Sequence, residues 1–235
     1  MKRTAWLLVG IGMAVAASAQ SLDPILKKQA LDGRVDYRAL VADPKPLADY
    51  LQQAGQIPES EFKTWGEKKQ LAFLIDLYNA ATLQLIVDHY PVKSIKKIKR
   101  GFKGPWDQKI VTLHGKKITL NTLEHKIIRP QYKDPRVHMA LVCAAKGCPI
   151  LRSEAYTAER LDEQLDDQSR RYLETPAGLV IDRKKGTASI SAIFKWYGDD
   201  FQSVPAFVEK QSGKNIVGLK LRYLKYDWSL NEQDR

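Results

Sequence analysis

The only cysteines in this 235-residue chain, Cys143 and Cys148, lie five positions apart in the segment 137–151, VHMALVCAAKGCPIL. Thiols at that spacing admit three chemistries: a cysteine nucleophile, a disulfide, or two ligands of a metal ion. Nucleophilic catalysis needs a thiolate, a base within hydrogen-bond reach and a group that orients the base. Cys143 supplies the thiol, at the end of an apolar run that enters a small-residue loop closing at Cys148-Pro149. Val137, Met139, Leu141 and Cys143 alternate with other residues, the period of a strand, and strand ends entering loops commonly display catalytic groups. On such a strand His138, five residues before Cys143, falls on the opposite face, which makes it the weaker base. His125 is the better one, arriving from a separate helical segment. Asn79, a polar residue within a long apolar helix, is the candidate that orients it. Glu124 adjoins His125, but helical neighbours point about 100° apart, so it is a lesser candidate.

Each residue also has a structural role to fill. Glu124 stands three after Asn121, the spacing of a capping box worth about 1 kcal/mol. His125 and His138 suit burial against backbone carbonyls, and Asn79 suits a bond to a neighbouring loop. None of the four histidines follows Cys143. A cysteine hydrolase here therefore needs the base before the nucleophile, as in permuted papain-like or caspase-like orders. The Cys-x4-Cys spacing with scattered histidines fits no standard zinc pattern, so no metal ligands are assigned. No motif calls for a cofactor.

The first residues bear on compartment. Lys2 and Arg3 precede an apolar stretch, 6–16, and Ala17-Ser18-Ala19 fits a small-x-small cleavage rule. This reads as a signal peptide over 1–19, leaving Gln20 first in a periplasmic or secreted protein in which disulfides are allowed. No later segment reads as a membrane span or stable membrane anchor. The formal net charge of +11 becomes +9 once the two charges of that leader are discounted. Six cations, Lys93, Lys96, Lys97, Lys99, Arg100 and Lys103, crowd one short segment. They read first as a solvated loop and second as a contact for an anionic surface or envelope component. Export and the lack of a recognised motif argue against nucleic acid as a partner.

The elements that must position these groups follow from periodicity. Helices are expected over 22–31, from Tyr37 towards Leu51, and over 68–90, where apolar residues recur at three and four until Pro91 stops them. Hairpins are expected at 110–120, turning at His114-Gly115, and at 178–191, turning at Lys184-Lys185-Gly186. Between them lie a helix capped by Asn121 and ending before Pro130, and one capped by Thr157 with Leu161, Leu165, Ser169 and Tyr172 on one face. A short aromatic helix from Ser191, a helix over 204–211 and a strand over 221–228 complete the chain. Trp196, Tyr197, Tyr226 and Trp228 read mainly as core closure and secondarily as a groove for a glycan or peptide. Together these give an α+β fold: one compact domain over 20–235 with a central long helix, hairpins and a small sheet.

Several motifs in order carry a family resemblance: Gly33-Arg34-Val35-Asp36-Tyr37, Leu77-Tyr78-Asn79-Ala80, Leu123-Glu124-His125, Asp134-Pro135-Arg136-Val137-His138 and Cys143 through Cys148-Pro149. Ala155-Tyr156-Thr157, Ile193-Phe194-Lys195-Trp196-Tyr197 and Tyr226-Asp227-Trp228 continue the series. The chain resembles domain-of-unknown-function family 547, whose members include exported bacterial proteins. The resemblance implies no activity. At one position, Ala145, it leads to an expectation of Ser. The functional expectation is an exported envelope protein acting as a cysteine-dependent hydrolase or acyl transferase on a peptide or amide bond. The alternative is a non-enzymatic binding or scaffold domain held by a Cys143–Cys148 disulfide.

Overall fold

A computed structural model describes residues 21–234. The signal peptide expected over 1–19 and the cleavage point at Gln20 lie outside the described residues. The amino-terminal half is a set of helices around one central rod. Helix α1 (Asp23–Gln29) leads into strands β1 (Ala30–Leu31) and β2 (Arg34–Val35), which pair antiparallel. Their turn places Asp32 and Gly33 at positive φ, and a Cβ on Gly33 would overlap the Ile150 side chain at 2.4 Å, so only glycine fits. The helix expected towards Leu51 is two helices, α2 (Tyr37–Ala42) and α3 (Lys45–Gln56), because Pro44 breaks the register. Helix α4 (Glu59–Phe62) precedes α5 (Glu67–Val87), which is buried on nearly every side.

Helix α5 corrects one expectation: it is long and apolar enough to cross a membrane by length and composition. It also carries Gln70, Asp76, Asn79 and Thr82 in buried positions, and 83% of its most apolar window is covered by the rest of the fold. Such a helix is apolar all round because it is the core's axis.

Strands β3 (Val111–Leu113) and β4 (Lys116–Ile118) form the first hairpin, with His114 and Gly115 both at positive φ in the turn. The helix that follows differs from expectation at both ends. Thr119, not Asn121, caps α6 (Leu120–Thr122) by accepting from Thr122 N–H, and Asn121 instead donates to Asp107. No capping box forms, since Glu124 is turned inward. The helix then widens into a π-helical turn over Leu123–Ile128 and runs past Pro130 as α7 (Arg129–Tyr132). The expected strand before Cys143 is instead a helical turn, α8 (Val137–Ala140), after which the chain extends. Asp134 starts it: its side chain accepts from Arg136 N–H and its carbonyl from Val137 N–H. Val137, His138, Met139 and Ala140 are all buried, so the apparent two-residue alternation marks no exposed face.

Thr157 accepts from Arg160 N–H in a turn just ahead of α9 (Leu161–Glu174), which buries Leu161, Leu165, Ser169 and Tyr172 as expected. Strands β5 (Leu179–Asp182) and β6 (Thr187–Ile190) make the second hairpin. Helices α10 (Ile193–Trp196) and α11 (Val204–Ser212) follow. The last strand, β7 (Lys220–Tyr223), is shorter than expected and lies parallel to β6. Beyond it the chain leaves the sheet to run across the cysteine loop. The result is an α+β fold with two packed clusters: a large one around α5 and a smaller one between α9, the three-stranded sheet and α11. Tyr226 packs against both.

Candidate functional site

The cysteine loop is held from three directions. Asn79, from mid-α5, donates to Ala140 O at 3.0 Å and accepts from Val142 N–H at 2.9 Å. Its amide thus fixes the backbone entering Cys143 and does not reach His125, the role the sequence suggested. Past Cys143, Ala144 takes a left-handed φ of +57°, a conformation that costs a non-glycine residue roughly 1–2 kcal/mol. Beyond that reversal the Ala145 N–H favours the Cys143 thiolate, a smaller effect than those that disfavour it. The carboxyl-terminal segment then clamps the loop. Lys146 N–H donates to Ser229 O and Gly147 N–H to Asp227 O, both at 2.8 Å, and Asn231 N–H donates to Ala144 O. Tyr172, from α9, donates to Gly147 O at 2.8 Å.

Cys143 and Cys148 are free thiols. Cys143 N–H donates to Cys148 Sγ at 3.1 Å, and Cys143 Sγ lies 3.3 Å from Tyr226 Oη. The hydrogen bond to Cys148 and burial push the Cys143 thiol well above its ordinary value. Burial opposes ionisation of Cys148 too, yet hydrogen bonds from Cys143 and Tyr226 outweigh it and hold that thiol below the ordinary range. The pair therefore favours one shared negative charge resting on Cys148, the reverse of a lowered pKa at Cys143.

Both sulfurs face a cavity of about 270 Å³ that also receives Glu124, His125 and His138. The π turn delivers Glu124 inward and His125 to the cavity wall; such turns recur at functional sites. Glu124 is buried and accepts from Tyr78 Oη at 3.2 Å, with His125 Nδ1 3.9 Å from its other oxygen. Arg129 donates to His125 Nδ1 at 2.9 Å, which places the ring proton of a neutral His125 on Nε2. His138 is buried and its Nε2 lies 2.7 Å from Asp200, which also takes both forks of Arg129. Burial lowers the His138 pKa against the pull of Asp200. A neutral His138 that donates from Nε2 keeps its lone pair on Nδ1. Arg129, against the effect of burial and with help from His138, holds Asp200 below the usual carboxylate range.

The aromatic residues do not simply close the core. Trp106, Trp196, Tyr197, Tyr226 and Trp228 line the same cavity. Trp196 and Trp228 stack at 5.8 Å, Trp106 meets Trp228 edge-on, and Trp196 is 48% exposed at the mouth. Tyr197 stacks on His138 at 4.0 Å. The structure thus brings Cys143, His125, Glu124 and His138 to one cavity, with Asn79 behind its wall. Sequence reasoning passed over Asp200 and Arg129 as site residues, and read Tyr226 as core closure or groove wall but not as a partner of the thiol. Tyr226 lies in a motif that carries the family resemblance, whereas Asp200 is an ordinary acid in a short helical turn. Among the described residues, no group of three or more His, Cys, Asp or Glu side chains is arranged to hold a metal ion.

Residues 62–173 match the model of the family described as protein of unknown function, DUF547, and through that segment the chain belongs to the family. No curated protein and no solved structure matches the chain significantly. The matched segment contains Asn79, Glu124, His125, His138 and both cysteines, while Asp200 and most of the aromatic wall come from the chain beyond it.

Proposed function

We propose that the cavity is the active centre of an exported cysteine-dependent hydrolase or acyl transferase acting on a peptide or amide bond of an envelope component. The observation that supports this reading is the convergence of two thiols and two imidazoles, one of them held from behind by the Asp200 carboxylate, on one aromatic-walled cavity. Cys143, the less buried of the two thiols, is the nucleophile. Its sulfur attacks the carbonyl carbon while its proton passes to Nδ1 of His138, which Asp200 orients, and not to His125, the base the sequence favoured, whose Nδ1 is taken by Arg129. The carbonyl π pair moves onto oxygen, where His125 Nε2–H donates to it. When the tetrahedral species collapses, the amine departs with the proton from His138 and leaves a thioester on Cys143. Water or an acceptor amine then releases the acyl group. Among the described residues no histidine hydrogen-bonds to either sulfur, so the Cys143–His138 contact forms as substrate binds.

A second reading has its own support. The direct contact between the two sulfur-bearing residues suits a Cys143–Cys148 disulfide in a non-enzymatic scaffold. One experiment separates them. Native protein from the exporting cell is analysed by intact mass with and without iodoacetamide, then exposed to p-nitrophenyl acetate. The enzymatic reading expects two free thiols, a mature terminus at Gln20, and an acetyl adduct on Cys143 that hydroxylamine removes. A native disulfide supports the scaffold, and free thiols that never acylate overturn both.

A further inference from the structure

The segment from Lys93 to Lys103 carries six cations and no acidic residue. All six are exposed, and among the described residues none forms an ion pair with an acidic side chain. Elsewhere some cations are tied down: Arg136, Arg152, Arg160 and Arg170 each hold at least two carboxylates. The segment is anchored, since Ile95 and Ile98 are buried in the large core cluster. Arg100 and Lys103 exchange backbone hydrogen bonds at 3.1 and 3.2 Å across a tight turn in which Gly101 takes φ +61°. At its apex stands Phe102, fully exposed and covered by nothing in the fold. A large apolar ring on a rigid turn inside a collar of unpaired cations is the arrangement that inserts at a lipid interface.

We propose that this turn docks the protein on an anionic phospholipid bilayer, with Phe102 at the acyl boundary and the lysines and Arg100 among the headgroup phosphates. Charge complementarity selects the occupant: six unpaired positive charges match a dense anionic surface, and the ring requires an apolar layer beneath it. The turn also neighbours the cavity mouth. Lys96 Nζ sits 4.8 Å from the Trp228 ring centre, and Leu230 N–H donates to Lys93 O. Docking therefore brings the aromatic rim towards the membrane, although the proposal stands independently of the thiol chemistry.

The test is co-sedimentation of the full mature chain with vesicles of pure phosphatidylcholine and with vesicles containing phosphatidylglycerol, at low and high salt. Binding is expected only to the latter, weakening with salt. Each Lys→Glu change at Lys97 or Lys99 should weaken it at least about fivefold. Phe102→Ser should weaken it about tenfold or more, with circular dichroism unchanged because the side chain touches nothing. Equal binding to both vesicle types, or none, overturns the proposal. Binding that charge reversal abolishes but Phe102→Ser leaves intact also overturns it, and marks the patch as a site for a soluble polyanion.

Discussion

At the scale of single residues, the thiol pair is governed by who donates to whom. Tyr226 supplies a hydroxyl to Cys143 Sγ and helps hold Cys148 below the ordinary thiol range. Tyr226→Phe removes that donor while keeping the ring, so the thiolate loses support. The pH midpoint for iodoacetamide labelling should move upward, measured by mass spectrometry across a pH series; an unmoved midpoint would show that Tyr226 is packing only. His138 carries a second expectation. Burial places its folded pKa below the 6.5 of an unperturbed histidine. As pH falls through about 6.5 the unfolded chain binds a proton before the fold does, so stability falls with pH between the two values. His138→Gln keeps an N–H for Asp200 and should flatten that part of a urea-midpoint profile. The same slope in both proteins would remove His138 as its source. Asp200, held low by Arg129, acts in a separate and lower window. Cys143, His125 and Glu124 were legible because their residue types are scarce or chemically pointed. Asp200 was not, because its worth lies in a contact 62 residues away in sequence.

Elements place these residues by close backbone approach as much as by packing. Gly147 shows it: a Cβ there would lie 2.7 Å from Asp227 N, inside the hydrogen-bonded seam between the cysteine loop and the carboxyl-terminal segment. Gly147→Ala must push that segment outward, carrying Tyr226 and Trp228 from the cavity. The expected cost is about 1–3 kcal/mol in urea unfolding, together with faster alkylation of Cys143. Unchanged labelling would mean that the seam does not guard the thiol. Periodicity revealed α5, α9 and both hairpins, where apolar spacing and turn residues agree. It misled at Val137, where buried residues on all sides imitate a strand's alternation. The π turn at Leu123–Ile128 was invisible, because a widened helix keeps helical composition while shifting which side chains face inward.

The first and last described segments pack together, and this decides what can fold. The large core draws Leu22, Leu26 and Val35 from one end and Leu230 from the other. Tyr37, fully buried, donates to Asn231 at 2.8 Å, and Val35 N–H donates to Asn231 O at 2.9 Å. The cavity lies where the two clusters meet: His138 and Cys143 come from the family-matched segment, while Asp200, Trp196 and Tyr226 come from the chain that follows it. The fold class was readable from the sequence because it sums many local patterns. The meeting of the ends was not, since no local pattern records a partner nearly 200 positions away. The segment 62–173 alone leaves the core faces of α5 and α9 without their covering residues. Expressed by itself, it should lack a cooperative urea transition and bind a hydrophobic dye, whereas a chain covering 21–235 should unfold in one step. A fragment with its own sharp transition and native-like near-ultraviolet dichroism would show instead that the flanks are later additions to a complete fold. In that case the cavity would form in two stages, with the thiols placed first and the aromatic wall and Asp200 docking afterwards.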